Sequence, residues 1–286
     1  MKPPVKIIIS ASRRTDIPAF YMDWFMKQID RGFFEVVNPY NGVKKNISAG
    51  PENVDTIVFW SKNFNYFIKK RFDKILKKKG YNLFFNFTIN SESTVLEPNI
   101  PPLKERFEQL EYLSENFPKK SISWRFDPVC FYKIKEQKDN NLKDFSLIAE
   151  KAYECGIQRC ITSFMDYYPK IKRRIASIKG FTFIDPPIEK KIEIVLRMER
   201  ELEKKDIALY TCCENEIMDN LPSGSNILKS SCIPNDLISE LYGGIISLKK
   251  DRGQRITSGC GCMVSVDIGS YRQHPCYHRC VFCYAN

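Results

Sequence analysis

The sequence has little histidine, no long apolar run and no internal repeat. Only two histidines occur in 286 residues, His274 and His278, so imidazole chemistry is confined to one short neighbourhood. No stretch approaches the ~18 consecutive apolar residues of a membrane helix, so no membrane partner is expected. The opening MKPPVKIIISASRRTD holds an apolar run too short for a secretory signal, and charge follows it. The expected location is cytoplasmic. No low-complexity segment or flexible linker stands out. A hydrophobic fraction of 43% allows a sizeable core, and the length fits one α/β barrel or two small domains.

Cysteine and positive charge are what the chain has in quantity. Eleven cysteines without a secretion signal argue for metal or redox chemistry more than for disulfides, and the odd count leaves at least one unpaired. The net charge of +11 is compatible with nucleic acid or another anionic partner. It is equally what a solvated surface gives, since Lys69-Lys70-Arg71 and Lys77-Lys78-Lys79 lie around one expected helix and its end.

Apolar, β-branched runs alternate with helical patterns. Strands are expected over residues 5–10, 56–61, 82–89, 121–126, 159–164 and 207–211. Helices are expected over 17–31, with Asp16 as N-cap, and over 64–79, 102–116, 142–155 and 187–204. Near-continuous apolar strands separated by helices predict an α/β fold with a parallel sheet covered by helices. Periodicity alone allows a doubly wound sheet or a barrel. After Thr211 the pattern breaks. Residues 212–286 read as a cysteine-rich cap on a 1–211 α/β unit, with one helix at 236–242.

Polar residues collect where the expected strands end, which is where parallel α/β barrels carry their active sites. They include Arg13 and Asp16, Ser61-Lys62-Asn63, Asn86 and Thr88, Arg125 and Asp127, Ser163 and Asp166, and Cys212-Cys213-Glu214. Loop starts are polar in any case, and Asp or Asn there also caps helices. Arg125, a cation inside an apolar strand, is costly to bury unless paired or used. It and Arg13 are suited to pair with Asp127 or to hold a carboxylate bidentately.

Five cysteines fall in the last 27 residues, CGCMVSVDIGSYRQHPCYHRCVFCYAN. Cys276, Cys280 and Cys283 have the spacing C-x3-C-x2-C, with Phe282 before the third. Thiolates select iron–sulfur clusters, Zn or Cu(I). Iron–sulfur clusters usually take four cysteines, so a three-cysteine loop borrows a ligand or leaves one iron open. Cys213, Cys232, Cys260 and Cys262 are candidates for a second site, an auxiliary [4Fe–4S] cluster or a structural Zn, with ordinary reduced thiols as the alternative. Cys212 alternates with Cys213 and is expected to point into the strand wall. Cys155 and Cys160 read as packing residues. Gly269 is a candidate for the tight turn that brings the loop back to the strand ends.

The loop CYHRCVFCYAN resembles the cluster loop of radical S-adenosylmethionine enzymes, in particular of the spore photoproduct lyase-like branch; FWSKN and RFDP are similar to strings in that branch. The whole chain resembles the uncharacterised bacterial family known as domain of unknown function 1848. In most of the superfamily this loop lies near the N-terminus, after the first barrel strand; here it ends the sequence. The resemblance implies a partial (β/α)6 TIM-like barrel with the cysteine-rich cap on its mouth. It implies a [4Fe–4S] cluster on Cys276, Cys280 and Cys283 beside Phe282, with S-adenosylmethionine on the fourth iron. One-electron cleavage would give a 5′-deoxyadenosyl radical, fed by an electron donor such as a flavodoxin or ferredoxin. Asn86, Thr88 and Arg13 are the expected cosubstrate contacts by strand-end position. Arg125, Asp127 and Cys130 are the catalytic candidates, Cys130 as a hydrogen-atom donor or a packing residue. His278 matches a histidine of similar loops and is read as supporting the cluster rather than ligating it. Two other readings stand beside this one. The first is a non-catalytic nucleic-acid-binding module with structural Zn or Fe–S sites. The second is a hydrolase using Asp16, Asp127, Asp166 and Glu214 with a hard metal.

Overall fold

The computed structural model describes residues 5–38 and 42–285; Asn286, the last residue of the loop string, lies outside it. Strand β1 (Ile7–Ala11) leads to α1 (Ile17–Phe20), α2 (Met22–Arg31) and a hairpin of β2 (Phe33–Val37) and β3 (Lys44–Ser48). Then come β4 (Val54–Ser61), α3 (Asn65–Lys69), α4 (Phe72–Lys78), β5 (Asn82–Thr88), α5 (Leu103–Asn116) and β6 (Ile122–Val129). β7 (Phe131–Ile134), β8 (Gln137–Asn140), α6 (Phe145–Glu154), β9 (Arg159–Phe164), α7 (Pro169–Ile175) and β10 (Phe181–Ile184) follow. The chain closes with α8 (Ile188–Glu203), β11 (Ala208–Thr211), α9 (Asn215–Asp219), β12 (Leu228–Lys229), α10 (Asn235–Tyr242) and β13 (Val266–Asp267).

The six expected strands are β1, β4, β5, β6, β9 and β11. They stand in chain order in one eight-stranded parallel sheet, with β13 beyond β1 and β12 beyond β11. The C-terminal segment therefore supplies both edge strands, each of two residues. The hairpin β2–β3 and the antiparallel sheet β10–β7–β8 are separate from it. Among the described residues no helix is long and apolar enough to cross a membrane.

Two expected helices are each broken in two. The first breaks at Tyr21 (φ −132°, ψ 19°), which ends α1 and starts α2. The second breaks at Arg71, whose φ of 56° is left-handed. Apolar spacing continues across both breaks, so periodicity could not show them. Asp16 caps α1 as expected, its carboxylate accepting from the Ala19 N–H at 2.9 Å.

Strand alternation sorts the core into two faces. Ile9, Ile57, Phe59, Phe85, Phe87, Ile122, Trp124, Cys160 and Leu209 share a cluster with residues of α2, α5, α6 and α8. Cys155 is in the same cluster, so Cys155 and Cys160 are packing residues as expected. Ile8, Val58 and Phe84 point the other way and pack on Ile233, Ile238 and Ile246 of the C-terminal segment. Helices cover one face and the C-terminal segment the other.

Phe85 is fully buried, with ring centroids of Phe59, Phe64, Phe67 and Phe117 at 6.2, 5.6, 6.1 and 4.7 Å. Phe85→Ala removes the ring from all four and leaves a cavity. It is expected to cost about 3–5 kcal/mol in a denaturant titration, and Phe85→Leu clearly less.

Candidate metal and cofactor site

The face covered by the C-terminal segment carries the polar residues. Thr88, Arg125, Ile161 and Tyr210 lie side by side in register across four strands, and Trp60, Asn86 and Ser123 form a second such row. Two groups of cysteines lie over the C-terminal ends of these strands.

The first group is the loop of Cys276, Cys280 and Cys283. β13 runs parallel beside β1 and feeds it. Asp267 is the junction: its carboxylate accepts from Ser10 Oγ at 3.1 Å, Ser12 Oγ at 2.6 Å and the N–H groups of Arg13 and Gly269 at 2.7 and 3.1 Å. A Cβ on Gly269 would lie 2.1 Å from Ser12 Oγ, so only glycine fits this close passage. Beyond it, His278 Nε2 hydrogen-bonds Asp16 Oδ2 at 2.7 Å, both side chains being buried. Ser61 Oγ and the Lys62 N–H donate to the same carboxylate at 2.8–2.9 Å. Arg174 of α7 donates to the carbonyls of Cys280, Val281 and Cys283 at 3.1, 3.1 and 2.8 Å. The loop is thus tied to the ends of β1 and β4 and to α7. His278 supports it through Asp16, while His274 packs its ring on Trp24 at 4.1 Å.

Cys280 is buried with Val281, Phe282 and Cys130 in one apolar cluster. Its Sγ lies 3.9 Å from Glu97 Oε1, and Glu97 pairs with Lys62 at 2.6 Å. Lys62 also stands over the Phe282 ring at 5.4 Å. Burial and the Glu97 charge push the Cys280 thiol well up; burial and Asp16 push Cys276 up to about 12. Cys280 interacts electrostatically with both Cys276 and Cys283. Cys130 is also held protonated, by burial and then by Glu97.

The second group holds Cys212, Cys213, Cys232, Cys260 and Cys262, against Trp60, Ile161 and Tyr210. Cys212 belongs to it, contrary to expectation. Cys212 stands two residues after Tyr210 and so faces the same way, while the left-handed Cys213 (φ 62°) breaks the alternation, so both neighbours join the group. Hydrogen bonds from Cys212 and then Cys260 bring the Cys213 thiol down to about 4. Arg125 and Arg13 border the group and stand over Trp60 at 5.3 and 5.6 Å. Arg125 pairs with Asp127, which also accepts from Ser163 Oγ. Asn86 Nδ2 donates to the Cys232 carbonyl at 2.9 Å, and its Oδ1 has no partner.

The structure therefore gathers the expected residues around two centres. Cys130 and Phe282 accompany the loop; Arg13, Asn86, Arg125 and Asp127 accompany the second group. Lys62, named only as a strand end, and Glu97, Trp60 and Arg174 complete the surroundings; Glu97 and Arg174 carried no sequence signal. None of the eleven cysteines is in a disulfide. Among the described residues no three His, Cys, Asp or Glu side chains are already gathered as a ready metal cage. The four carboxylates of the hard-metal reading are engaged separately: Asp16 by His278, Asp127 by Arg125, Asp166 by Arg255 and Glu214 by the Phe164 N–H.

Fold and site together define a cysteine-rich parallel α/β protein with thiols over the C-terminal strand ends. Residues 8–285 match the domain of unknown function DUF1848, and the chain belongs to that family. Comparison with curated proteins finds no match. Among solved structures, a D-allulose 3-epimerase from Methylomonas sp. is 10% identical with a TM-score of 0.29, over 80% of this chain and 64% of that one. The chain thus spans just under two thirds of that enzyme. A xylose isomerase domain protein from Planctomyces limnophilus is 9% identical (TM-score 0.25; 85% and 70% covered). A sugar phosphate isomerase/epimerase from Parabacteroides distasonis is 8% identical (TM-score 0.33; 100% and 94% covered). Likeness at this level carries no argument about activity.

Burial pushes the Glu214 carboxyl up from its ordinary 4.5 to about 7, against the Phe164 N–H, which lowers it. Between these values the folded chain holds a proton that the unfolded chain has released, so stability falls as pH rises. Relative to Glu214→Gln, wild type is expected to lose about 1–3 kcal/mol between pH ~4.5 and ~7, measured by urea unfolding at each pH.

Proposed function

We propose that the chain is a radical S-adenosylmethionine-type enzyme, with Cys276, Cys280 and Cys283 holding a [4Fe–4S] cluster. The carrying observation is where the loop arrives. It leaves β13, the strand beside β1, and is pinned over the C-terminal ends of β1 and β4. A loop that follows the sheet's first strand in space is what the resemblance requires, although in sequence that strand comes last. Chain-order strands with helices on one face support a barrel-like sheet rather than a doubly wound one, with the C-terminal segment as its cap.

The donor set fits the cluster: three thiols on one loop, coupled electrostatically, in a pocket with a buried cation and an aromatic ring. Binding would displace the thiol protons that burial now retains. The bound cluster and cosubstrate supply one-electron chemistry and a radical that abstracts hydrogen. The chain's own residues do the rest. Arg174 fixes the loop carbonyls, and Asp16 with His278 fixes its approach. Lys62 sets a positive charge beside the cysteine thiolates. Phe282 and Cys130 keep water from the buried side. Asn86 and Thr88 are the proposed cosubstrate contacts, Asn86 with an acceptor oxygen to spare. The +11 charge supports an anionic substrate such as nucleic acid, with a flavodoxin or ferredoxin as reductant.

Anaerobic reconstitution, iron and sulfide counting, and EPR of the reduced protein test this reading. Wild type is expected to carry about four irons more than a Cys276→Ala/Cys280→Ala/Cys283→Ala variant, with a spectrum altered by S-adenosylmethionine. Equal iron in the two proteins, or a spectrum indifferent to S-adenosylmethionine, would overturn it.

A further inference from the structure

We propose that Cys212, Cys213, Cys232, Cys260 and Cys262 form a second thiolate centre for a soft metal, separate from the terminal loop, with Cys212 as the sulfur that joins the set together. Cys212 Sγ lies 3.9 Å from Cys213 Sγ and 3.7 Å from Cys232 Sγ. Cys260 and Cys262 share one buried cluster with Cys232, and Cys212 and Cys213 pack against it. The five cysteines form one group, drawn from three separate segments of the chain.

The spacing is informative. Zinc holds thiolates tetrahedrally at about 2.3 Å, which sets neighbouring sulfurs about 3.8 Å apart. The two separations at Cys212 have that length. As thiols the sulfurs are not gathered around a single point. Loss of their protons and rotation of the side chains would close four of them on an ion.

The backbone is built to bring these segments together. A Cβ on Gly261 would lie 2.6 Å from the Ser230 carbonyl oxygen, to which the Gly261 N–H donates at 3.1 Å. Only glycine permits that approach, and it sets Cys260 and Cys262 against the segment carrying Cys232. The surroundings suit a metal thiolate as well. Arg125 Nη1 donates to Cys232 Sγ at 2.7 Å, and Cys262 acts electrostatically on the Arg13 guanidinium. Such outer hydrogen bonds orient ligand atoms and offset the charge of a metal thiolate. Ordinary packing of reduced cysteines calls for neither five grouped thiols nor a buried guanidinium bonded to one of them.

A single tetrahedral ion and an iron–sulfur cluster share this ligand chemistry, and metal analysis separates them. The Cys276→Ala/Cys280→Ala/Cys283→Ala variant leaves this centre alone. It is expected to retain either about one zinc or about four irons with matching sulfide. Adding Cys212→Ser and Cys232→Ser should bring the metal to background. Alkylation of wild type followed by mass spectrometry gives a readout that needs no variant. Cys212 and Cys213 should be protected as purified and labelled together once a chelator has removed the metal. A loop variant without metal, metal retained after the two serine changes, or labelling unmoved by the chelator would each overturn the proposal. Loss of loop iron with this metal retained separates the two centres, so either can fail without the other.

Discussion

One carboxylate holds the two ends of the chain together. Asp267 accepts four hydrogen bonds, three of them from residues 10–13. Its strand mate Val266 pairs with Ile9. This junction is the first of several ties of the cysteine loop, followed by His278 to Asp16, Tyr284 to the Arg13 carbonyl and Arg174 to the loop carbonyls. A charged acceptor bonded to N–H and O–H donors is stronger than a neutral one, which suits a joint made by a strand of two residues.

The polar interior follows from the alternation of the strands. A residue step of one changes face, so Phe85 and Phe87 meet helices while Asn86 meets the C-terminal segment. That segment could not be an ordinary apolar cover. It must satisfy Arg125, Asn86 and Ser10, and it does so with a cysteine sulfur, a cysteine carbonyl and Asp267. Burying a guanidinium is costly unless its hydrogen bonds are met. Arg125 spends one on Asp127 and one on Cys232. The cysteines are therefore part of how the interior is made tolerable, as well as a candidate metal-binding set.

The sheet was legible because its strands are long apolar runs in regular alternation with helical patterns, and Asp16 was legible as a cap because its chemistry is local. The parts that were not legible have physical reasons. β12 and β13 are two residues each, too short for periodicity, and exist only as edges of a sheet made elsewhere. β8 reads QKDN and is mostly exposed, so no apolar run marks it. Cys212 was misread because it was taken to face away from Cys213, whereas the left-handed Cys213 breaks the alternation and both face the same group. The loop cysteines announced themselves by spacing. Their company did not, because Glu97 and Arg174 are separated from them by more than 100 residues.

The terminal position of the loop is less of an obstacle than it looks. The contacts at Asp267 close 254–257 residues of chain. Closure entropy grows only with the logarithm of length, about 0.6 kcal/mol for each doubling. Moving a strand and its loop from the start of a sheet to the end of the chain therefore changes little in the energy of forming their contacts. What it changes is which residues supply the strand and loop: here they belong to the segment after β11. That segment then lies along the whole sheet, pairing β12 at one edge and β13 at the other, and carries all the cysteines but Cys130, Cys155 and Cys160 with it. A site assembled this way depends on the completed sheet for its geometry and on the last residues of the chain for its chemistry.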